Sequence, residues 1–338
     1  MSDGTIEASA PARADLAGGT LDLWPLHVLH PGSVTVNVAI DRRAGCRVRP
    51  ERNGFRVRSA ERGLDRRSGT PAGLLDHPDT ALVGSLLDAL GIDEPLEIEL
   101  FSDVPFGSGL GGSSALTVAL LGALEPLARR PVPESERVAF VRDVETRVLG
   151  KPAGVQDYYA PLEGGVHILR FDAGATRSRR LEADAEVWER HATLFDTGSA
   201  HSSGMNNWEI FRSRLEGDET VGARLEGVRR AAVAMSEAVE AGDFPAMGRA
   251  LAEEWEARRR LAPVVSTPRI EEAIACARAA GAWGGKACGA GGGGYVVFLS
   301  PPEKTAAVRA ALASLGRDSV SPLRVESAGM RRRRVGPD

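Results

Sequence analysis

Pro105-Phe106-Gly107-Ser108-Gly109-Leu110-Gly111-Gly112-Ser113-Ser114-Ala115 is the stretch on which the reading of this chain turns. Before it, residues 95–101 alternate as a strand does, with Leu96, Ile98 and Leu100 on one face. After it, residues 113–127 repeat their apolar positions at helical spacing. A glycine-rich loop between a strand and a helix lets backbone N–H groups approach an anion closely, and the helix adds its positive N-terminal end. Phosphate is the natural ligand of such a loop. The alternative is a flexible turn closed by a serine N-cap, because Ser113 and Ser114 fall where hydroxyls cap a helix or reach a metal. The lysine that a Walker loop requires after its glycines is absent. Gly107, Gly109 and Gly112 do satisfy G-x-G-x-x-G, but a dinucleotide site also needs an acid ending a second strand about twenty residues on. A proline-punctuated polar loop occupies that region, 129–136, so hydride transfer loses its second anchor.

Outward from the loop, the 39 glycines of the 338 residues gather in knots at 18–19, 107–112, 150–154, 164–165 and 281–294. Strand character is expected at 34–40, 55–57, 165–171, 192–195, 295–299 and 323–326, and helix at 134–149, 270–280 and 303–315. Residues 206–262 read as mostly helical with long charged faces such as 253–260, and 331–334 as a solvated charge cluster on a tail. Strands followed by helices in each half suggest an α+β protein of two lobes, 1–185 and 186–338.

Lys+Arg number 42 against 46 Asp+Glu, a formal net charge of −4, which argues against a chain whose main work is holding nucleic acid. An aromatic fraction of 5% leaves no platform for stacking single-stranded bases. Cys46, Cys276 and Cys288 form no short pair, so neither a disulfide framework nor a zinc site is expected, and a reducing compartment is. Residues 1–15 lack the apolar core of a secretory signal, and the longest apolar run, 115–124, has about half the length of a membrane span. The expectation is a cytoplasmic chain with a small-molecule substrate and neither nucleic acid nor membrane as partner; its oligomeric state is open.

Three segments in order resemble the GHMP kinases, the family of galactokinase, homoserine kinase, mevalonate kinase and phosphomevalonate kinase. Pro11-Ala-Arg13-Ala-Asp-Leu-Ala-Gly18-Gly19-Thr20-Leu-Asp22 looks like the family's opening motif, the loop above like its ATP-phosphate loop, and Lys286-Ala-Cys-Gly289-Ala-Gly-Gly-Gly-Gly294 like its C-terminal glycine motif. Gly154-Val-Gln-Asp157-Tyr-Tyr-Ala, with Gly164-Gly165 after it, and Gly281-Ala-Trp-Gly-Gly-Lys286 are most similar to the sugar-kinase branch containing D-glycero-D-manno-heptose 7-phosphate kinase. The resemblance implies a two-lobed fold, the N-lobe like ribosomal protein S5 domain 2 and the C-lobe ferredoxin-like, with the active site between them.

It also implies chemistry. ATP would be held by Pro105 and by Gly107, Ser108, Gly109, Leu110, Gly111, Gly112, Ser113 and Ser114, and Mg²⁺ by Ser113, with Ser114 as the fallback, and Glu145. For Glu145 the alternative is an exposed helix carboxylate. Asp157 would be the general base and Arg13 the cation that keeps it ionised, although an Asp in a loop is ordinarily a turn residue. Asp22, Gly18, Gly19, Thr20, Gly291 and Gly292 would border the substrate, and Trp24, His27 and His30 either line that pocket or pack the lobe. Galactokinases carry Glu-His where Gly19-Thr20 stands, and His201 occupies the neighbourhood where the heptose-kinase branch has an arginine. Whether the acceptor already bears a phosphate is therefore open. The expected activity is phosphorylation of a sugar hydroxyl, with the anomeric one the first choice. A mevalonate-type hydroxy-acid kinase, a silent ATP- and sugar-binding sensor and a dehydrogenase are the alternatives, in that order.

Overall fold

The structure, a computed structural model, describes residues 4–105, 107–199, 203–316 and 319–336, with backbone only for 203–206. The first half runs β1 (Thr5–Ala17), α1 (Leu26–Leu29), β2 (Val34–Pro50), β3 (Phe55–Ser59), β4 (Leu64–Ser68), α2 (Ala81–Leu90), β5 (Leu96–Ser102), α3 (Gly112–Leu124), α4 (Arg137–Leu149), α5 (Gln156–Glu163), β6 (Val166–Asp172) and β7 (Ala175–Leu181). The second runs α6 (Ala185–His191), β8 (Ala192–Asp196), α7 (Ser203–Leu215), α8 (Glu219–Ala241), α9 (Phe244–Arg258), α10 (Pro268–Ala279), β9 (Gly284–Ala287), β10 (Tyr295–Leu299), α11 (Pro302–Ala313), β11 (Val320–Pro322) and β12 (Arg331–Val335). The architecture is α+β, built on two sheets.

The large sheet is ordered β12-β1-β2-β5-β3-β4, antiparallel except for the parallel pair β3/β5. Strand β2 is long enough to pair β6 with residues 34–38 and β5 with 44–50, and β7 continues from β6. The smaller sheet is antiparallel, β11-β8-β10-β9. Burial along β1 alternates up to Ala10 and is then unbroken through Ala17. Ile6 and Ala8 face a core shared with α2 and α3, whereas Ala14 and Leu16 join a second core with Met235 of α8 and Leu251 of α9. The strand thus carries the chain from a half-solvated sheet face to the seam between the halves. Helix α3 is apolar on every side after Thr117 and buried throughout from there to Leu124, so its more exposed first turn is anchored to a buried helix.

On the solvated face, one cross-strand row alternates charge through the sheet: Arg333, Glu7, Arg47, Glu99, Arg58 and Asp65 stand opposite one another in register. In the next row Glu97, only 5% exposed, lies within 2.7 Å of Arg49, 3.2 Å of Arg58 and 3.6 Å of Arg56.

Several expectations need correcting. Residues 331–335 are not a free tail; they pair as β12 with β1 from Thr5↔Val335 to Ser9↔Arg331, with Arg333 on Glu7 and Arg331 on Glu326. Residues 323–326 form only an isolated bridge, Ile40↔Val325, beside the short β11. The helical stretch 206–262 is three helices, broken at Gly217-Asp218 and Gly242-Asp243, where Asp218 and Asp243 cap the helices that follow. Asp157 is not in a loop but in the first turn of α5, where a carboxylate favours the helix dipole. Alanine-rich β1 carries little intrinsic strand propensity; pairing on both sides makes it a strand, with Pro11 accommodated at a bulge. Among the described residues no helix is long and apolar enough to cross a membrane.

Candidate active site

The phosphate loop leads from β5 into α3 through Gly107, Gly109 and Gly111, whose φ angles of +70°, +76° and +71° are open to glycine. Gly111 is the N-cap of α3 and offers no side-chain acceptor, so the first-turn N–H groups have no partner within the helix. The serine N-cap expected as the alternative is not formed, and the turn is free to receive an anion. The C-terminal glycine motif braces the loop from behind. Tyr295 N donates to the Ser108 carbonyl at 2.8 Å, and a Cβ on Gly294 would lie 2.3 Å from that same oxygen.

Glu145, on α4, is turned inward against the start of α3. Its carboxylate accepts hydrogen bonds from Ser113 Oγ at 3.1 Å and Ser114 Oγ at 3.2 Å, and from the Tyr158 hydroxyl of α5. It is buried, which overturns the reading as an exposed helix carboxylate. Burial pushes its pKa up, the Asp157 charge adds to this, and the three hydroxyl donors oppose it. A buried carboxylate with no cationic side chain against it among the described residues, flanked by two serine hydroxyls, is a set of hard oxygens that suits Mg²⁺. Among the described residues no group of three or more His, Cys, Asp or Glu is placed to hold a metal by itself, so such an ion would draw its remaining ligands from phosphate and water.

Arg13 and Asp157 form a fork: Nε to Oδ1 and Nη2 to Oδ2, both at 2.8 Å. Arg13 also donates to the Gly109 carbonyl at 2.5 Å, which ties the pair to the phosphate loop. Burial works against the Arg13 charge, but Asp157 more than restores it and holds the guanidinium above its usual pKa. Next to this pair, Asp22 accepts from Gln156 N at 3.1 Å and is 5% exposed. Burial and the neighbouring Asp157 charge push its pKa up to about 7. Gly154 makes the approach possible, since a Cβ there would lie 1.9 Å from Asp22 Oδ2.

The remaining expected residues divide. Thr20 is in the left-handed region at φ +78° and donates to Asn207 Oδ1 of α7 at 2.9 Å. Gly18 packs against the Val34 carbonyl, and Gly19 against Gln156 and Asp15. Gly291 and Gly292 sit on Val265, with Gly292 N donating to its carbonyl at 2.7 Å. His30 is buried between Arg214 and Glu226, and His27 lies against Phe171, so both pack the lobe. Trp24 is 69% exposed. His201 lies outside the described residues.

Four buried charges, Asp15 within the opening motif and Lys286, Glu254 and Arg258 packed beside it, are given no role by the sequence reading. The run 253–260 reads as a charged helix face, and within it Glu254 and Arg258, four residues apart, point inward and pair at 2.7 Å. Their i, i+4 spacing was the available signal. Removing one partner of such a pair costs about 3–5 kcal/mol.

Residues 80–165 match the family model for the GHMP kinases N terminal domain, and residues 235–318 that for GHMP kinases C terminal. The chain belongs to the GHMP kinase family. Phosphotransferases of this family include a D-glycero-α-D-manno-heptose 7-phosphate kinase of Campylobacter jejuni, to which this GHMP kinase is 29% identical over 62% of its own length and 63% of the relative's. It is 28% identical, over 91% of its length, to L-fucokinase/L-fucose-1-P guanylyltransferase of Bacteroides fragilis, of which it spans 36%. The chain thus covers less than two thirds of either relative. The fold matches the crystal structure of a D-glycero-D-manno-heptose 1-phosphate kinase from Bacteroides thetaiotaomicron with a TM-score of 0.75, 22% identity, and coverage of 98% of this chain and 100% of that one.

Proposed function

We propose that this GHMP kinase transfers the γ-phosphate of ATP to a hydroxyl, in our reading the anomeric one, of a sugar or a sugar phosphate such as a heptose 7-phosphate. The observation that carries the reading is the Arg13–Asp157 fork, tied through Gly109 to a glycine loop whose helix turn is open to an anion. Phosphoryl transfer depends on positioning and charge placement more than on covalent chemistry. In this reading the backbone of residues 107–114 binds the nucleotide phosphates. Asp157 accepts the proton of the acceptor hydroxyl, while Arg13, forked to it, faces the charge of the transferred group. Asp22, with Gly18, Gly19, Thr20, Gly291 and Gly292 around it, borders the acceptor. Ser113, Ser114 and Glu145 would hold Mg²⁺, which supplies neutralisation of phosphate charge. The lobes part at 185/186, and β12 returns to complete the sheet of the first.

The test is ADP release by purified protein with Mg-ATP across heptose 7-phosphate, heptose, galactose, L-fucose and mevalonate, with Asp157→Asn alongside. The expected result is turnover on one sugar or sugar phosphate, lost in the variant. Turnover on mevalonate would replace the substrate class, and tight ATP binding without turnover on any acceptor would make the protein a sensor. No ATP binding would overturn the kinase reading.

A further inference from the structure

Asp15, Lys286, Glu254 and Arg258 form a closed group in which no side chain is more than 1% exposed. Lys286 donates to Asp15 Oδ2 at 2.9 Å and to the Asp15 carbonyl at 3.0 Å, and stands 4.0 Å from Glu254. Glu254 holds Arg258 through Nε at 2.8 Å. Two positive and two negative groups cancel, so the group itself offers no net charge to a ligand. Apolar side chains of equal volume would join the two halves of the molecule as firmly, or more so. They would not supply directed donors, and Arg258 aims two of its five N–H groups at the opening turn. Nη2 donates to the Gly19 carbonyl at 2.7 Å, and Nη1 to Thr20 Oγ1 at 3.3 Å.

Those two atoms belong to the turn of residues 18–22. Thr20 is the one non-glycine residue with positive φ among the described residues, a conformation that persists only when its surroundings over-determine it. Its hydroxyl is held from two sides, accepting from Arg258 and donating to Asn207. Two residues on, the same turn delivers Asp22 to Gln156 N, beside Asp157.

We propose that Arg258 is a positioning residue for the acceptor. Through the Gly19 carbonyl and Thr20 Oγ1, α9 of the C-terminal half fixes the turn that presents Asp22, and the Asp15–Lys286–Glu254 group keeps the guanidinium aimed. The proposal rests on the kinase reading only in taking the surroundings of Asp22 as the acceptor's place.

Arg258→Lys keeps the charge and loses the fork. In the full chain, hydrogen exchange should speed up at least ten-fold for amides 18–24 while amides 107–115 keep their wild-type rates. With the best acceptor of the panel above, KM for that acceptor should rise at least ten-fold, and KM for ATP should stay within two-fold. Thr20→Gly relieves the backbone strain but removes the side-chain anchor, and it should reproduce the local exchange even if Arg258→Lys does not fold. Unchanged exchange at 18–24 would overturn the proposal, as would exchange rising equally at 107–115, or an unchanged acceptor KM with a lowered Tm. Should wild type turn over no acceptor at all, the kinase reading falls, and the exchange arm still decides whether Arg258 sets the turn.

Discussion

Replacing Asp157 by Asn changes almost no volume and removes the charge that Arg13 faces. The expected loss in kcat is about 10²- to 10⁴-fold, the usual worth of a general base, measured by ADP release at saturating substrates. Because Arg13 is buried, the same change should lower stability by about 1–3 kcal/mol, while nucleotide binding persists. Asp22 gives a prediction in pH. Its folded pKa of about 7 lies above the ordinary 3.8, so between those values the native state binds more protons than the unfolded chain. Stability contributed at this site should fall as pH rises from 4 to 7, by an amount on the order of 3 kcal/mol, and level off above. Nucleotide-free Asp22→Asn should lack that slope in denaturant melts, and a parallel slope in the variant would remove Asp22 as its source. Arg13, Asp22, Glu145 and Asp157 could be singled out because the family resemblance supplies a position for each, and the structure brings Arg13 to Asp157 and Glu145 to Ser113. Glu254 and Arg258 were not: a charged helix face reads as solvated unless something shows what covers it, and β1 with the opening motif, which covers this one, is more than two hundred residues away in the chain by the contact Arg258–Gly19.

At the scale of elements, the close approach of the C-terminal glycine run to the phosphate loop makes Gly294→Ala informative. A methyl group 2.3 Å from the Ser108 carbonyl, on a residue at φ +71°, must push the loop or the β10 entrance aside. KM for ATP should rise at least ten-fold, with acceptor KM affected less, in initial-rate measurements; the reverse pattern would separate the run from the nucleotide. The strand-loop-helix order around 95–127 was readable because alternation, glycine and helical periodicity follow one another there. Helix α5 was not, since it is eight residues long with Pro161 inside, and tertiary packing of Tyr158 rather than periodicity sustains it. Strands β4 and β7 were missed for a related reason: rich in arginine and mostly exposed, they show no alternation of apolar and polar residues.

At the scale of the molecule, the solvated sheet face is stabilised by charge order. Glu97→Gln leaves Arg49, Arg56 and Arg58 facing one another and should cost about 1–3 kcal/mol at low salt. Screening should shrink that cost at 1 M NaCl, where the Debye length is about 3 Å. A cost independent of salt would mean that packing, not charge, is what Glu97 supplies. The two-sheet plan could be anticipated from the alternation of strands and helices in each half, but the return of the last strand to the first could not. Four arginines in a row carry no strand signal, and it is the open edge of β1 that gives them one. That pairing has a consequence for synthesis. Strand β1 leaves the ribosome with one flank unoccupied, and Val335, opposite Thr5, emerges 330 residues later. At about 5–20 residues per second the interval is on the order of twenty seconds to a minute. For that time the nascent chain exposes a bare row of backbone donors and acceptors, so the large sheet is completed only after every strand of the smaller sheet has emerged.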